Sequence, residues 1–385
     1  MKRAIYIIIA LLLASSCIYQ FDPEGITSER RIVIEGDILI GGETVISVRS
    51  TMPISFDEEF DTSRPVGKAV IEDSKGKFYY DLGTGGADAS DFTFDTRTAP
   101  EDRMYRLHFK DSKSNKEYVS SWQKVVPAPD INKIYCEYEA DEEDVRIRMN
   151  VDGHDEQFFR WDYVEDWQYH ADYAPKFMFD IDRKYVYELA DSDYSHYWCW
   201  GNYASMEFGL ASTTHQNANR LDGQVIATRS RRNNRFQYIY RMNLSVRGLT
   251  KDAYDYLHNM REISDITGSL FAPNPDDMRG NIVCQQDSTE FVIGFISAVK
   301  EARKTMYLKP GEHSFFIPTP APVIDVPQLE EGRTLYDFYM AGNRPVMEVP
   351  AGLGTDVGWG PERCVNCLYG GGSKKKPEDW PTSDE

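Results

Sequence analysis

Four stretches decide the fold: RIVIEGDILI (31–40), TVISVRSTM (44–52), KAVIEDSKGKFYYDL (68–82) and MYRLHFKDSKSNKEYVSS (104–121). In each, apolar and polar residues alternate, which puts one side chain in two on the same face of an extended chain. Gly, Asp, Asn or Lys-Gly turns separate the runs, and 73–76 (DSKG) and 111–115 (DSKSN) read as hairpin turns. Short alternating runs at this spacing predict an antiparallel β-sandwich over 31–129. VVPAPDINKI (125–134), with Pro127 and Pro129, interrupts the alternation as a stiff connector and places a boundary near residue 129.

Beyond the boundary, IYCEYEA (134–140), DVRIRMNVD (144–152), FQYIYRMNLSVRGL (236–249) and TEFVIGFISAVKEARKTMYL (289–308) read as further strands, so 130–385 is expected to be a larger β-rich domain. One helix is predicted over 251–266, with Thr250 as its N-cap, Ala253, Leu257, Met260 and Ile263 or Ser264 as its stripe, and Gly268 as its stop. Residues 317–385 are rich in Pro and Gly, as in 317–328 (IPTPAPVIDVPQ), and predict an extended, irregular wrap. The expected fold class is therefore mainly β.

The N-terminus reads as a lipoprotein signal. Lys2 and Arg3 precede an apolar run from Ile5 to Leu13, and Ala14-Ser15-Ser16 place small residues directly before Cys17. That run is too short for the roughly 20 residues of a spanning helix. Residues 1–16 are expected to be a signal peptide and Cys17 the lipidated first residue of the mature chain, followed by a polar tether over 17–30. The alternative is an ordinary secretory peptide with a chance cysteine. The chain carries a net charge of −19, which disfavours nucleic acid and anionic headgroups as partners, since both need clustered Lys and Arg.

No catalytic signature is present. His108, His154, His170, His196, His215, His258 and His313 form no HExxH, and there is no GxSxG, phosphate loop or dinucleotide fingerprint. The glycine-rich 83–87 (GTGGA) reads as a turn, and the acidic pairs Asp180/Asp182 and Asp191/Asp193 lack calcium-loop grammar. Carboxylates paired for glycoside hydrolysis are brought together only by a fold. The expectation is a non-enzyme with no cofactor and no metal.

Between Phe158 and Tyr203, sixteen of 46 residues are Phe, Trp or Tyr, interleaved with Asp and Glu. Trp161, Trp167, Tyr169, Tyr173, Trp198 and Trp200 are candidates for a ligand or partner surface, because such rings stack on sugars and cations and anchor protein interfaces. The competing reading makes many of them core residues on alternating strands. Arg229, Arg231, Arg232 and Arg235 form the one basic cluster, either a docking site for an acidic partner or a solvated hairpin tip around Asn233-Asn234.

CIYQFDP (17–23), IVIEGDI (32–38), GSLFAPNPDDMRGNI (268–282), FVIGFIS (291–297) and CVNCLYGGGSKKKPEDW (364–380) occur in this order along the chain. In these segments the chain resembles the Bacteroidota outer-membrane lipoproteins of domain of unknown function 4249, often encoded beside TonB-dependent receptors. The resemblance implies an immunoglobulin-like N-terminal sandwich before a larger β-rich domain. It also implies anchoring in the outer membrane through acyl chains on Cys17, on either its cell-surface or its periplasmic face, and a TonB-dependent β-barrel receptor as partner. An accessory role in nutrient capture or uptake follows; the alternative is a free-standing glycan-binding or adhesin lipoprotein, with a glycan or peptide as ligand. Cys199, Cys364 and Cys367 stand where the family tends to carry cysteines, whereas Cys136 and Cys284 do not. The CxxC at 364–367 has a spacing shared by zinc knuckles, redox dithiols and tight disulfides, but lacks both further ligands and a βαβ setting. One or both of these cysteines are expected to bridge to the body of the protein, with Cys199 as the favoured partner, stapling the C-terminal wrap.

Overall fold

The computed structural model describes residues 31–51, 65–83, 90–265 and 279–381. The expected signal peptide, the lipidation site Cys17 and the tether lie outside the described residues, as do Ile266, Gly268 and most of 83–87.

The N-terminal strands are β1 (Ile32–Leu39), β2 (Glu43–Ser50), β3 (Gly67–Asp73), β4 (Phe78–Tyr80), β5 (Asp91–Asp95), β6 (Met104–Asp111), β7 (Glu117–Ser120) and β8 (Gln123–Val126). Alternation sends Ile34, Ile46, Val48, Ile71, Tyr105, Leu107 and Phe109 inward, where they form one apolar core with Phe94. β5-β2-β1 makes one layer and β4-β3-β6-β7 the other. β8 joins the layers at one side through Met104–Lys124 pairing, and a bridge from Asp81 to Phe94 joins them at the other. The product is an immunoglobulin-like sandwich that nearly closes into a barrel.

This sheet is not confined to 31–129. The chain returns to it with β18 (Ile282–Cys284), paired to β7, and β19 (Ile296–Val299), which lies parallel between β1 and β8. All four β19 residues, Ile296, Ser297, Ala298 and Val299, are buried, so the strand is covered on both faces and lacks the in-and-out alternation of a half-exposed strand. Gly294 precedes it at φ 129°, where a Cβ would lie 1.8 Å from the Ile34 carbonyl oxygen. Only glycine fits so close a backbone approach.

The second body contains β9 (Asp130–Tyr138), β10 (Asp144–Asp152), β11 (Phe158–His170), β12 (Phe177–Asp180), β13 (Tyr185–Glu188), β14 (Trp198–Ala204), β15 (Gly209–Ser212), β16 (Arg220–Ser230), β17 (Tyr240–Gly248) and β20 (Glu301–Leu308). One sheet runs β16-β10-β9; the other runs β14-β11-β17-β20, with β15 also on β11. Their facing sides bury Val145, Ile147 and Met149 against Trp161, Trp167, Tyr240, Met242 and Leu244. The run read as one strand over 289–308 is thus divided, with Lys300 alone between β19 in the first body and β20 in the second.

Helix α1 (Lys251–Asp265) begins where expected, the Ala253 amide donating to Thr250 Oγ1 at 3.2 Å. A second helix, α2 (Leu335–Met340), was not legible; Thr334 and Asp337 close a capping box at its start. The C-terminal wrap is also less irregular than expected. β21 (Asn343–Ala351) and β22 (Gly354–Pro361) form a hairpin over a small core of Val346, Cys364 and Val365. Pro345 and Pro350 mask its alternation, yet a two-stranded ribbon tolerates them because neither strand is the centre of a wider sheet.

A candidate aromatic binding face

β11 and β14 pair with Tyr169 opposite Cys199 and His170 opposite Trp198, and this register sorts the aromatic stretch by face. Trp161, Trp167 and Tyr169, candidates for a ligand surface, lie inside the sandwich at 5%, 9% and 4% exposure. Gly209 and Gly201 make room for the two indoles; a Cβ there would stand 2.0 and 2.1 Å from Trp161 and Trp167. The Tyr169 hydroxyl donates to the Cys367 carbonyl at 2.7 Å. Those three residues are core. Tyr173 packs on the hairpin core and donates to the Pro322 carbonyl, and the Trp200 backbone is bridged to Ser373.

Trp198 faces outward. His170 stacks on Tyr197 with centroids 4.8 Å apart, and Trp198 meets the His170 edge at 5.1 Å and Tyr238 at 5.0 Å. Tyr194, 59% exposed, extends the row from Tyr197 at 5.3 Å. These are ordinary aromatic pairing distances, so the rings hold one another in place while leaving faces open to a partner. Cross-strand register brings His170 beside Trp198, and Tyr238 arrives from the turn before β17. Their joining was invisible in the sequence, although Tyr197 sits beside Trp198 in it. His170 also lines a cavity of about 300 Å3 with Asp172, Arg232, Asn234, Arg363 and Asn366. Burial pushes the Asp172 carboxyl up, with Arg363 acting against it.

Three of the four arginines of the basic cluster are engaged within the fold. Arg229 forms two hydrogen bonds to the fully buried Glu165, Nε at 3.2 Å and Nη2 at 2.9 Å, and Arg235 donates to the same carboxylate together with the Tyr240 hydroxyl at 2.7 Å. Arg231 is buried and donates to the carbonyls of Glu142 at 2.9 Å and Phe315 at 2.8 Å. Only Arg232 is exposed. Glu165, one of the acids interleaved with the aromatic stretch and expected with Asp162 and Asp166 to meet hydroxyls or a cation, is held instead by the protein's own arginines: residues 161, 163, 165, 167 and 169 share one face of β11, which puts a carboxylate among buried rings and demands cationic partners. Asp180, at the end of β12, and Asp193 brace local turns; their carboxylates accept from the amides of Asp182 and Ser195 at 3.0 and 2.8 Å.

Cys199 and Cys367 form a disulfide across 168 residues of chain. Cys364 is free and buried, with its thiol pushed up to about 11 by burial. Burial likewise holds Cys136 up at about 12. Both thiols are therefore protonated and unreactive at neutral pH. The staple brings the C-terminal segment over β14, where Lys374 Nζ donates to the Trp198 carbonyl at 2.6 Å and Arg241, clamped to Asp166, donates to the Glu378 carbonyl at 2.9 Å.

Among the described residues no three His, Cys, Asp or Glu side chains converge as a metal site would require, and no helix is long and apolar enough to cross a membrane. What the face offers is a set of fixed rings beside polar groups, suited to binding. No curated protein matches the chain significantly. The sequence model described as Domain of unknown function (DUF4249) matches residues 18–305, most of the chain including both sandwich bodies, and the protein therefore belongs to that family.

Proposed function

We propose that this protein is a lipid-anchored accessory of the outer membrane that docks through the Trp198 face onto a TonB-dependent β-barrel receptor and assists nutrient capture or uptake. The observation that carries the reading is the cluster of Tyr194, Tyr197, Trp198, His170 and Tyr238, partly exposed and mutually packed. Large aromatic residues preordered at a surface are the usual anchors of protein interfaces. The signal sequence ending at Cys17 supports the anchor, and tethering would hold the face near membrane partners at high effective concentration. Affinity purification of the full chain from gently solubilised outer membranes should recover a β-barrel receptor, and Trp198→Ala should lose it; a clean monomer from the wild type refutes the reading.

The cavity that His170 lines behind the Trp198 cluster favours a second reading, a glycan-binding or adhesin role, because the rings of Phe316 and Tyr369 next to Asn234, Asn366 and Arg363 suit sugar rings and hydroxyls. Glycan arrays separate the two: a saturable sugar signal removed by Trp198→Ala, without receptor recovery, selects the second.

A further inference from the structure

A different cavity, of about 300 Å3, lies where α1, the outer face of the first sandwich and the second body meet. Leu257 and Met260 of α1, Phe295 before β19 and Phe208 before β15 make it predominantly apolar. Three charged residues line it, Glu35 and Asp37 of β1 and Arg160 of β11. Arg160 is already engaged: Nη1 donates to Asp37 at 3.3 Å, and the guanidinium lies 4.6 Å from the centroid of the Phe208 ring. Asp37 in turn takes Arg247 at 2.8 Å. Glu35 is left half-buried in an apolar setting, with neither a hydrogen bond nor an ion pair to any described residue. Burial pushes its carboxyl up, against the opposing fields of Arg49 and Arg160.

A half-buried carboxylate without a partner is costly unless something completes it. Pockets with apolar walls and a few convergent polar groups, placed between bodies of a fold, are where small ligands bind. The walls add the rings of Tyr256 and Phe295, and aromatic faces attract cations; the Phe208 face is already taken by Arg160. We propose that this junction cavity binds a small organic amine, its ammonium group against Glu35 and its apolar body against Phe208, Leu257, Met260 and Phe295. The site is separate from the Trp198 face, and the proposal does not depend on the receptor reading.

Titration calorimetry of the full chain with phenethylamine, and with 2-phenylethanol and phenylacetate as neutral and anionic counterparts, tests it. Phenethylamine should bind saturably, the alcohol about tenfold or more weakly, and the acid not at all. Glu35→Gln should bring the amine down to the affinity of the alcohol, and Met260→Trp, which fills the cavity, should abolish both while leaving the circular dichroism unchanged. No heat with phenethylamine, equal affinity for amine and alcohol, or full amine binding in either variant overturns the proposal. Receptor recovery should be untouched by Glu35→Gln, so failure here and failure of the receptor reading are told apart.

Discussion

Removing the Cys199–Cys367 disulfide should cost the protein more than any single surface contact. The bridge closes a loop of 168 residues that contains β15 to β20 and therefore strands of both bodies. In the chain-entropy treatment the penalty grows with the logarithm of loop length, and a loop of this size corresponds to about 5 kcal/mol, with about 2–5 kcal/mol typical of native bridges. Because the loop spans both bodies, the constraint acts on the globally unfolded chain and not only on the C-terminal segment. Two signatures follow in urea unfolding of Cys199→Ala/Cys367→Ala against the oxidised wild type. The extrapolated stability should fall by several kcal/mol, and the slope m should rise because the unbridged unfolded chain exposes more surface. The wild type under reductant should behave as the double variant does. A loss below about 1 kcal/mol with unchanged m would refute the reasoning, since the wrap would then be held by Tyr169, Trp200 and Arg241 alone.

Glu165→Leu leaves Arg229 and Arg235 facing each other without their shared carboxylate, and stripping one partner from a buried ion cluster typically costs about 3–5 kcal/mol; denaturation midpoints measure this, and a neutral result would show that the two arginines reach water. Thr250→Ala removes the cap of α1 and should cost about 1 kcal/mol, seen also as faster hydrogen exchange in its first turn. The side-chain and backbone hydrogen bonds of Arg97 hold the Asp95 carboxyl down at about 2. Its folded value lies below the unfolded one, so its contribution to stability is present above the ordinary Asp range near 3.9 and is lost as pH falls toward about 2. Carboxyl NMR should find Asp95 still ionised at pH 3, and Arg97→Ala should return it to the ordinary range. Trp198→Ala should leave the unfolding midpoint nearly unchanged while removing partner or sugar binding, whereas Trp167→Ala, deep in the core, should cost about 3–5 kcal/mol; equal destabilisation by the two would show that Trp198 is structural.

Local patterning alone determined the class of fold, the early strands and the start of α1. Period-2 alternation in β1, β2, β3 and β6 and the Thr250 cap are written within a few neighbouring residues, and hydrophobic burial acts on them directly. What required the tertiary structure was everything set by pairing between distant segments. β19 shows no alternation because both its faces are covered, so its return to the first sandwich could not be read. Trp161, Trp167 and Trp198 are the same residue type in one stretch; strand parity puts the first two inside, and only the β11–β14 register gathers Trp198 with His170. Arg229 and Arg235 looked like a surface patch until the sheet facing β11 laid them on Glu165. Cys367 rather than Cys364 reaches Cys199, because the turn between them points one thiol at β14 and buries the other under the β21–β22 hairpin. Each of these outcomes depends on which face a side chain shares with a partner far away in sequence, and that is decided when the sheets close and exclude water.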